Sequence, residues 1–197
     1  MKITSNQIDK HLYTIELQDT PEYSGSILHE LEKETRWTLH ENSDGSYIGD
    51  FVPTDTDTNL FKYRDNILSD NFKYQLYSLL TSNDVFIDRH PTYTVDFLMD
   101  NAKLFSQYYV VSEDHKLGGQ HVDEPINQII ALGLVYFMYE DNPLKGTLIR
   151  NWNDTHNIIV PTGYEKGWLL INSDKSKHQI CNFGLKRYGI KFWVNVF

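Results

Sequence analysis

Three side chains in this sequence have the types and spacing to hold one metal ion. His121 and Asp123 are separated by a single valine. On a strand, residues i and i+2 point to the same face, so this imidazole and carboxylate can converge on one ion. His178 follows 55 residues after Asp123, between the apolar segment Trp168–Ile171 and Ile180. Two imidazoles and one carboxylate form a facial set that leaves coordination positions open. Iron(II) and zinc both accept these donors, so the ligand types leave the metal open.

A fourth residue points to an organic partner. Arg187 lies nine residues after His178, just before the apolar run Tyr188–Val196. The planar guanidinium matches a carboxylate through two hydrogen bonds. Inside a β core an unpaired arginine would be costly, which argues for an anionic partner there.

These four residues need a β scaffold. From Tyr93 onward, short apolar runs alternate with turn signals. Strands are expected at Tyr93–Met99, Phe105–Ser112, Gln128–Met138, Gly146–Trp152, Ile158–Pro161, Gly167–Asn172, His178–Asn182 and Tyr188–Val196. The first half differs. Ser24–Lys33 and Asn66–Leu80 carry apolar residues at helical spacing, with strands expected at His11–Leu17 and Thr35–His40. The segment Glu41–Asp57 reads as a turn-rich connection. Helices first and strands after predict an α+β fold, mainly β, with helices on one face of a sandwich or barrel.

The order of these motifs resembles the Fe(II)/2-oxoglutarate-dependent dioxygenases, most of all the prolyl hydroxylase group. The resemblance rests on HVDEP at His121–Pro125, VYFMY at Val135–Tyr139, KGTL at Lys145–Leu148 and Pro161-Thr162-Gly163. KHQI at Lys177–Ile180 and RYGIKFWV at Arg187–Val194 complete it. It covers roughly residues 120–195. It implies a double-stranded β-helix, or jelly-roll core, with supporting N-terminal helices. The whole chain, 1–197, would form a single oxygenase domain, with 1–92 as the support region and 93–197 as the core. His121, Asp123 and His178 would bind Fe(II), and Arg187 would anchor 2-oxoglutarate, the co-substrate. Tyr136 is a candidate hydroxyl donor to that co-substrate. The family often carries a tyrosine before the HxD histidine; the nearest here are Tyr108 and Tyr109. The implied reaction consumes O2, with ascorbate as accessory reductant, and releases succinate and CO2 while hydroxylating a substrate. A peptidyl proline or other protein side chain is the first expectation. A free amino acid or other small molecule, and a jelly roll that binds without catalysis, are the alternatives.

Composition narrows the setting. The net charge is −9, from 27 acidic and 18 basic residues, which disfavours a phosphate-tracking surface and a nucleic-acid partner. The single cysteine, Cys181, excludes an internal disulfide and a thiolate zinc site, and is expected to be a small buried hydrophobe. No signal peptide and no apolar stretch of membrane-spanning length is evident, so a soluble, cytoplasmic protein is expected. His115 and His156 lie in polar turns and are expected at the surface. His11, His29, His40 and His90 lack a ligand context. Arg150, Trp152 and Trp37 are expected to be structural rather than to line a substrate cleft.

Overall fold

The computed structural model describes residues 1–41, 46–115, 119–181, 184 and 186–197, with the side chains of 58, 140–145 and 181 left aside. The expectation for Cys181 and the end of the expected strand at Asn182 therefore lie outside the described residues, as do parts of the turns around Asp44 and Lys116.

Among the described residues, nine strands form one antiparallel system. They are β1 (Lys2–Asp9), β2 (Leu12–Gln18), β3 (Thr38–Glu41), β4 (Tyr47–Phe51), β5 (Ala102–Val111), β6 (Ile129–Arg150), β7 (Asn157–Ile171), β8 (His178–Cys181) and β9 (Arg187–Val196). Their order is β1-β2-β7-β6-β9-β5-β4-β3, with β8 paired to β6. The expected mainly-β jelly roll with N-terminal helices is the observed architecture.

β6 explains how the site is built. Its first part, Ile129–Tyr136, runs between β7 and β9; its last part, Gly146–Ile149, runs between β7 and β8. One strand thus changes partners along its length, from β9 to β8, while keeping β7 on its other side. The sequence suggests two strands here because the polar segment EDNPLKG interrupts the apolar run. The backbone instead crosses it with register irregularities. β7 likewise joins what read as two strands.

The central strands bury both faces, and period-2 alternation sorts their residues. On β9, Tyr188, Ile190, Phe192 and Val194 pack on the helices, while Arg187, Gly189, Lys191 and Trp193 are their alternates on the opposite face. On β5, Tyr108 and Val110 face the helices and Tyr109 and Val111 face inward.

The helices are α1 (Ile27–Lys33, entered through the 3-10 turn Glu22–Ser26), α2 (Thr58–Leu68), α3 (Asp70–Thr81), α4 (Asp84–Arg89) and α5 (Val95–Asn101). α3 buries Phe72, Leu76, Tyr77 and Leu80, spaced to form one stripe. The expected strand Tyr93–Met99 is instead helix α5. The Thr94 hydroxyl accepts from Phe97 N, and this N-cap outweighs the alternating pattern TYTVDFLM. The segment read as a connection contains strand β4, paired to β5. No helix among the described residues is long and apolar enough to cross a membrane.

Candidate metal centre

The ladder sets His121 against His178. His121 N donates to His178 O at 3.0 Å and His178 N to His121 O at 2.9 Å, an isolated antiparallel bridge. Their imidazole centroids are 4.4 Å apart. Asp123 Oδ1 lies 3.6 Å from His121 Nε2 and 3.8 Å from His178 Nε2. All three donor atoms fall within 4.8 Å of one another. Donors about 2.1 Å from a shared ion sit roughly 3 to 4 Å apart, so the cluster is close to the geometry an ion needs.

Neighbouring groups aim the donors. His121 Nδ1 is 3.0 Å from Gly119 O, and His178 Nδ1 is 3.1 Å from Ser176 O. A proton on each Nδ1 satisfies these carbonyls and leaves each Nε2 lone pair facing the cluster, the usual arrangement behind a metal-binding histidine. Burial holds the His178 imidazole below its ordinary pKa, although Asp123 opposes the shift and His121 adds to it. His178 is thus neutral at neutral pH, as a ligand must be. Trp193 Nε1 donates to Asp123 Oδ2 at 3.2 Å, reserving Oδ1 for the cluster. Asn172, fully buried, donates from Nδ2 to Asp123 O and Ile129 O and accepts from Ser176 Oγ. It therefore ties the HxD segment to the turn that precedes His178.

The cluster opens into a cavity of about 210 Å³. Its walls include Tyr109, Leu134, Thr147, Trp168, Lys191 and Trp193. Larger hollows of about 350 and 580 Å³ lie elsewhere, but the cluster that could hold a metal ion found among the described residues is here.

Arg187 is completely buried. Its Nη1 donates to Gly146 O at 2.7 Å, while Nε and Nη2 have no partner. The guanidinium carbon lies 5.6 Å from the centre of the Tyr136 ring. The Tyr109 hydroxyl is also buried and makes no well-formed hydrogen bond; burial raises its pKa well above the usual range, while the charge of Arg187 and a marginal contact with its guanidinium work against the rise. Trp168 Nε1 is a further buried donor without an acceptor. Buried polar groups normally find partners, so unpaired donors beside one cavity fit an acidic ligand that supplies the acceptors. The donor set of the cluster and these orphaned groups together suit a metal with a dicarboxylate co-substrate.

The other expected residues fall into place by face. The Tyr136 hydroxyl is 2.5 Å from Thr147 Oγ1, and its ring supports the guanidinium. Tyr108 turns to the helix side and donates to Leu60 O, whereas Tyr109 lines the cavity. Arg150 pairs with Asp154 at 2.6 Å, Trp152 packs near His11 and Lys175, and Trp37 packs on Phe51. None of the three lines the cavity. His115 corrects the surface expectation: it is buried, with Nδ1 3.0 Å from Ser46 Oγ. Trp193, Trp168, Asn172 and Lys191 were not anticipated. Trp193 and Lys191 were reachable, because they share the strand parity of Arg187.

No family model matches the sequence, and no curated protein matches it. The fold, however, matches solved structures of prolyl hydroxylases and other 2-oxoglutarate-Fe(II) oxygenases. A prolyl-4-hydroxylase from Pseudomonas putida matches with a TM-score of 0.62 at 12% identity, covering 95% of this chain and 94% of that one. A prolyl hydroxylase from Trichoplax adhaerens, solved with a hypoxia-inducible-factor peptide, gives 0.64 at 13% identity, covering 95% and 84%. The viral collagen prolyl hydroxylase of Paramecium bursaria Chlorella virus-1, solved with 2-oxoglutarate, gives 0.57 at 12% identity, covering 95% and 97%. The jelly roll is thus the class of this molecule, and the prolyl hydroxylases are among those it resembles in fold.

Proposed function

We propose that this protein is a non-haem Fe(II)- and 2-oxoglutarate-dependent dioxygenase that hydroxylates a peptidyl prolyl or other protein side chain. One observation carries the reading. A two-histidine, one-carboxylate cluster opens on a cavity lined by Tyr109, and beside Tyr109 lies Arg187, a buried arginine with two unpaired nitrogens. A cluster alone would suit zinc hydrolysis as well. An orphaned buried guanidinium asks for a carboxylate.

In this reading His121, Asp123 and His178 hold iron(II). The bound metal and co-substrate supply the oxidative chemistry, which consumes O2 and releases succinate and CO2. The protein's own groups ligate, orient and exclude water. Trp193 fixes which Asp123 oxygen faces the ion. Arg187 and the Tyr109 hydroxyl receive the far carboxylate of 2-oxoglutarate. Tyr136 holds the guanidinium from below, its own hydroxyl engaged by Thr147. The apolar side chains Leu132, Leu134 and Ile180 keep bulk water from the cavity, strengthening each charged contact within it. Ascorbate would serve as an accessory reductant, and a reducing compartment such as the cytoplasm suits iron(II) chemistry.

The test is succinate formation from 2-oxoglutarate under air, with Fe(II) and ascorbate added to metal-free protein. Iron-dependent succinate that disappears in His178→Ala and falls in Arg187→Ala is expected. Absence of both succinate and 2-oxoglutarate binding would overturn the reading.

A further inference from the structure

The cavity holds a charge that the chemistry above does not use. Lys191 lines it, on the same face of β9 as Arg187 and four residues further along, about 13 Å away at strand spacing. Its Nζ lies 2.7 Å from Asp50 Oδ1. The ammonium also sits over the rings of Tyr109 and Trp193, at 5.3 and 5.4 Å from their centres. Asp50 belongs to a neighbouring groove of about 540 Å³, whose lining includes Thr38, His40, Val52 and Gln107. The strand ladders make the two hollows adjacent. Tyr109 in the cavity is opposite Asp50 in the groove, and Lys191 in the cavity is opposite Gln107 in the groove. The ion pair therefore stands where the metal cavity meets the groove.

Resting on the oxygenase reading, we propose that Lys191 and Asp50 are a specificity-determining pair that recognises a main-chain amide of an extended peptide, next to the reacting residue. The pair is a fixed dipole, with both side chains about a quarter exposed or less. The pair is an ion contact at 2.7 Å, and Asp50 Oδ1 makes no well-angled hydrogen bond, so the three donors of the lysine ammonium stay available to a ligand. Asp50 Oδ2 faces His40 Nε2 at 3.5 Å, too long to be a good hydrogen bond, and so keeps acceptor capacity. An amide offers a carbonyl to the ammonium and an N–H to the carboxylate, and both ions keep their counter-charge. An anionic ligand would instead draw Lys191 from Asp50 and leave a half-buried carboxylate unpaired. Space points the same way. At about 210 Å³ the cavity lies below the usual range for drug-sized ligands, enough for a small co-substrate and one side chain. Flanking residues must then run along the groove, where exposed Val52 lies on the rim and Phe105, opposite Trp193, continues the inner face of β5.

The probe is a pool of capped pentapeptides, acetylated and amidated, with proline at the centre, applied to Mn(II)-loaded protein with 2-oxoglutarate. Wild-type protein is expected to retain members of the pool, and free L-proline is expected not to displace them. Lys191→Met lowers retention about tenfold, the loss of one hydrogen bond to a charged group. Asp50→Asn leaves Lys191 uncompensated and shifts the retained set toward members with Asp or Glu beside the proline, which a merely structural strut would not do. No retention by wild type, retention unchanged in Lys191→Met, or displacement by free L-proline overturns the inference. Calorimetry of 2-oxoglutarate on the same preparation separates the two claims, because failure to bind it overturns the oxygenase reading and this inference with it.

Discussion

Two charged side chains of quite different standing are buried in this fold. On the helix side of the sheet, Glu165 accepts from Tyr63 Oη at 2.7 Å and from Thr20 Oγ1 at 3.1 Å. On the inner side, Arg187 donates once to Gly146 O and leaves two nitrogens without partners. The surroundings differ in the same way. The helix-side layer is a large apolar cluster in which Tyr108 and Tyr13 both hydrogen bond, although the buried Tyr77 hydroxyl lacks a partner. The inner layer leaves donors on Tyr109 and Trp168 unpaired beside the metal cluster. One layer is chiefly apolar packing; in the proposed reading the other keeps its unpaired donors for a ligand, at a cost to stability. Sites commonly give up stability in this way for function.

The largest effect that would separate the layers lies on the helix side. Phe72 on α3 is fully buried and meets Phe192 edge to face, with ring centres 5.8 Å apart at 87°. Phe72→Ala should cost about 3–5 kcal/mol of unfolding free energy. The folded fraction should still bind 2-oxoglutarate with wild-type affinity. Denaturant titration paired with calorimetry measures both. A comparable loss of affinity would mean that the two layers are coupled and do not divide fold from function.

Arg187→Met should behave in the opposite sense. Removing a buried charge with too few partners leaves the ligand-free protein at least as stable, with a gain of up to about 4 kcal/mol. Wild type should gain about 2.7 kcal/mol from 2-oxoglutarate at a hundred times its Kd, and the variant should gain almost nothing at that concentration. Thermal shifts with and without the diacid read this directly. A variant that is less stable without ligand by several kcal/mol would make Arg187 a structural residue.

How much of this was legible in the sequence depended on whether a residue's neighbours carried its message. His121, Asp123, His178 and Arg187 stood out because their types are costly to bury and their parity along strands is simple. Trp193 shares that parity, but an indole in a core strand has an ordinary apolar explanation, and its bond to Asp123 needs three-dimensional proximity. Strand β1 is not legible because it is largely solvated and its two isoleucines, Ile3 and Ile8, fall on opposite parities, so no apolar alternation shows. The sequence at helix α5 reads as a strand because six residues, Thr92–Phe97, alternate, yet the cap at Thr94 starts a helix there. His115 was hidden by polar sequence neighbours, since its burial comes from Ser46 across the fold.

The smallest effect tests whether Glu165 is as well answered as its hydrogen bonds suggest. Burial raises its pKa above the ordinary carboxylate value, while the hydrogen bonds from Tyr63 and Thr20 pull it back. The folded state therefore holds a proton at pH values where the unfolded chain has released it. Stability from this group is present below the unfolded pKa and is lost as pH rises through the folded one. Glu165→Gln keeps an acceptor for Tyr63 and cannot ionise. It should flatten the decline of stability with pH just above the ordinary carboxylate range, by no more than about 1.4 kcal/mol for every tenfold weakening of the acid. Affinity for 2-oxoglutarate should be unchanged at every pH, because Glu165 belongs to the helix-side layer. Unfolding curves at closely spaced pH values check the first claim and calorimetry the second. A pH dependence that survives in Glu165→Gln would assign the proton to another buried group and leave Glu165 as neutral in standing as any surface carboxylate.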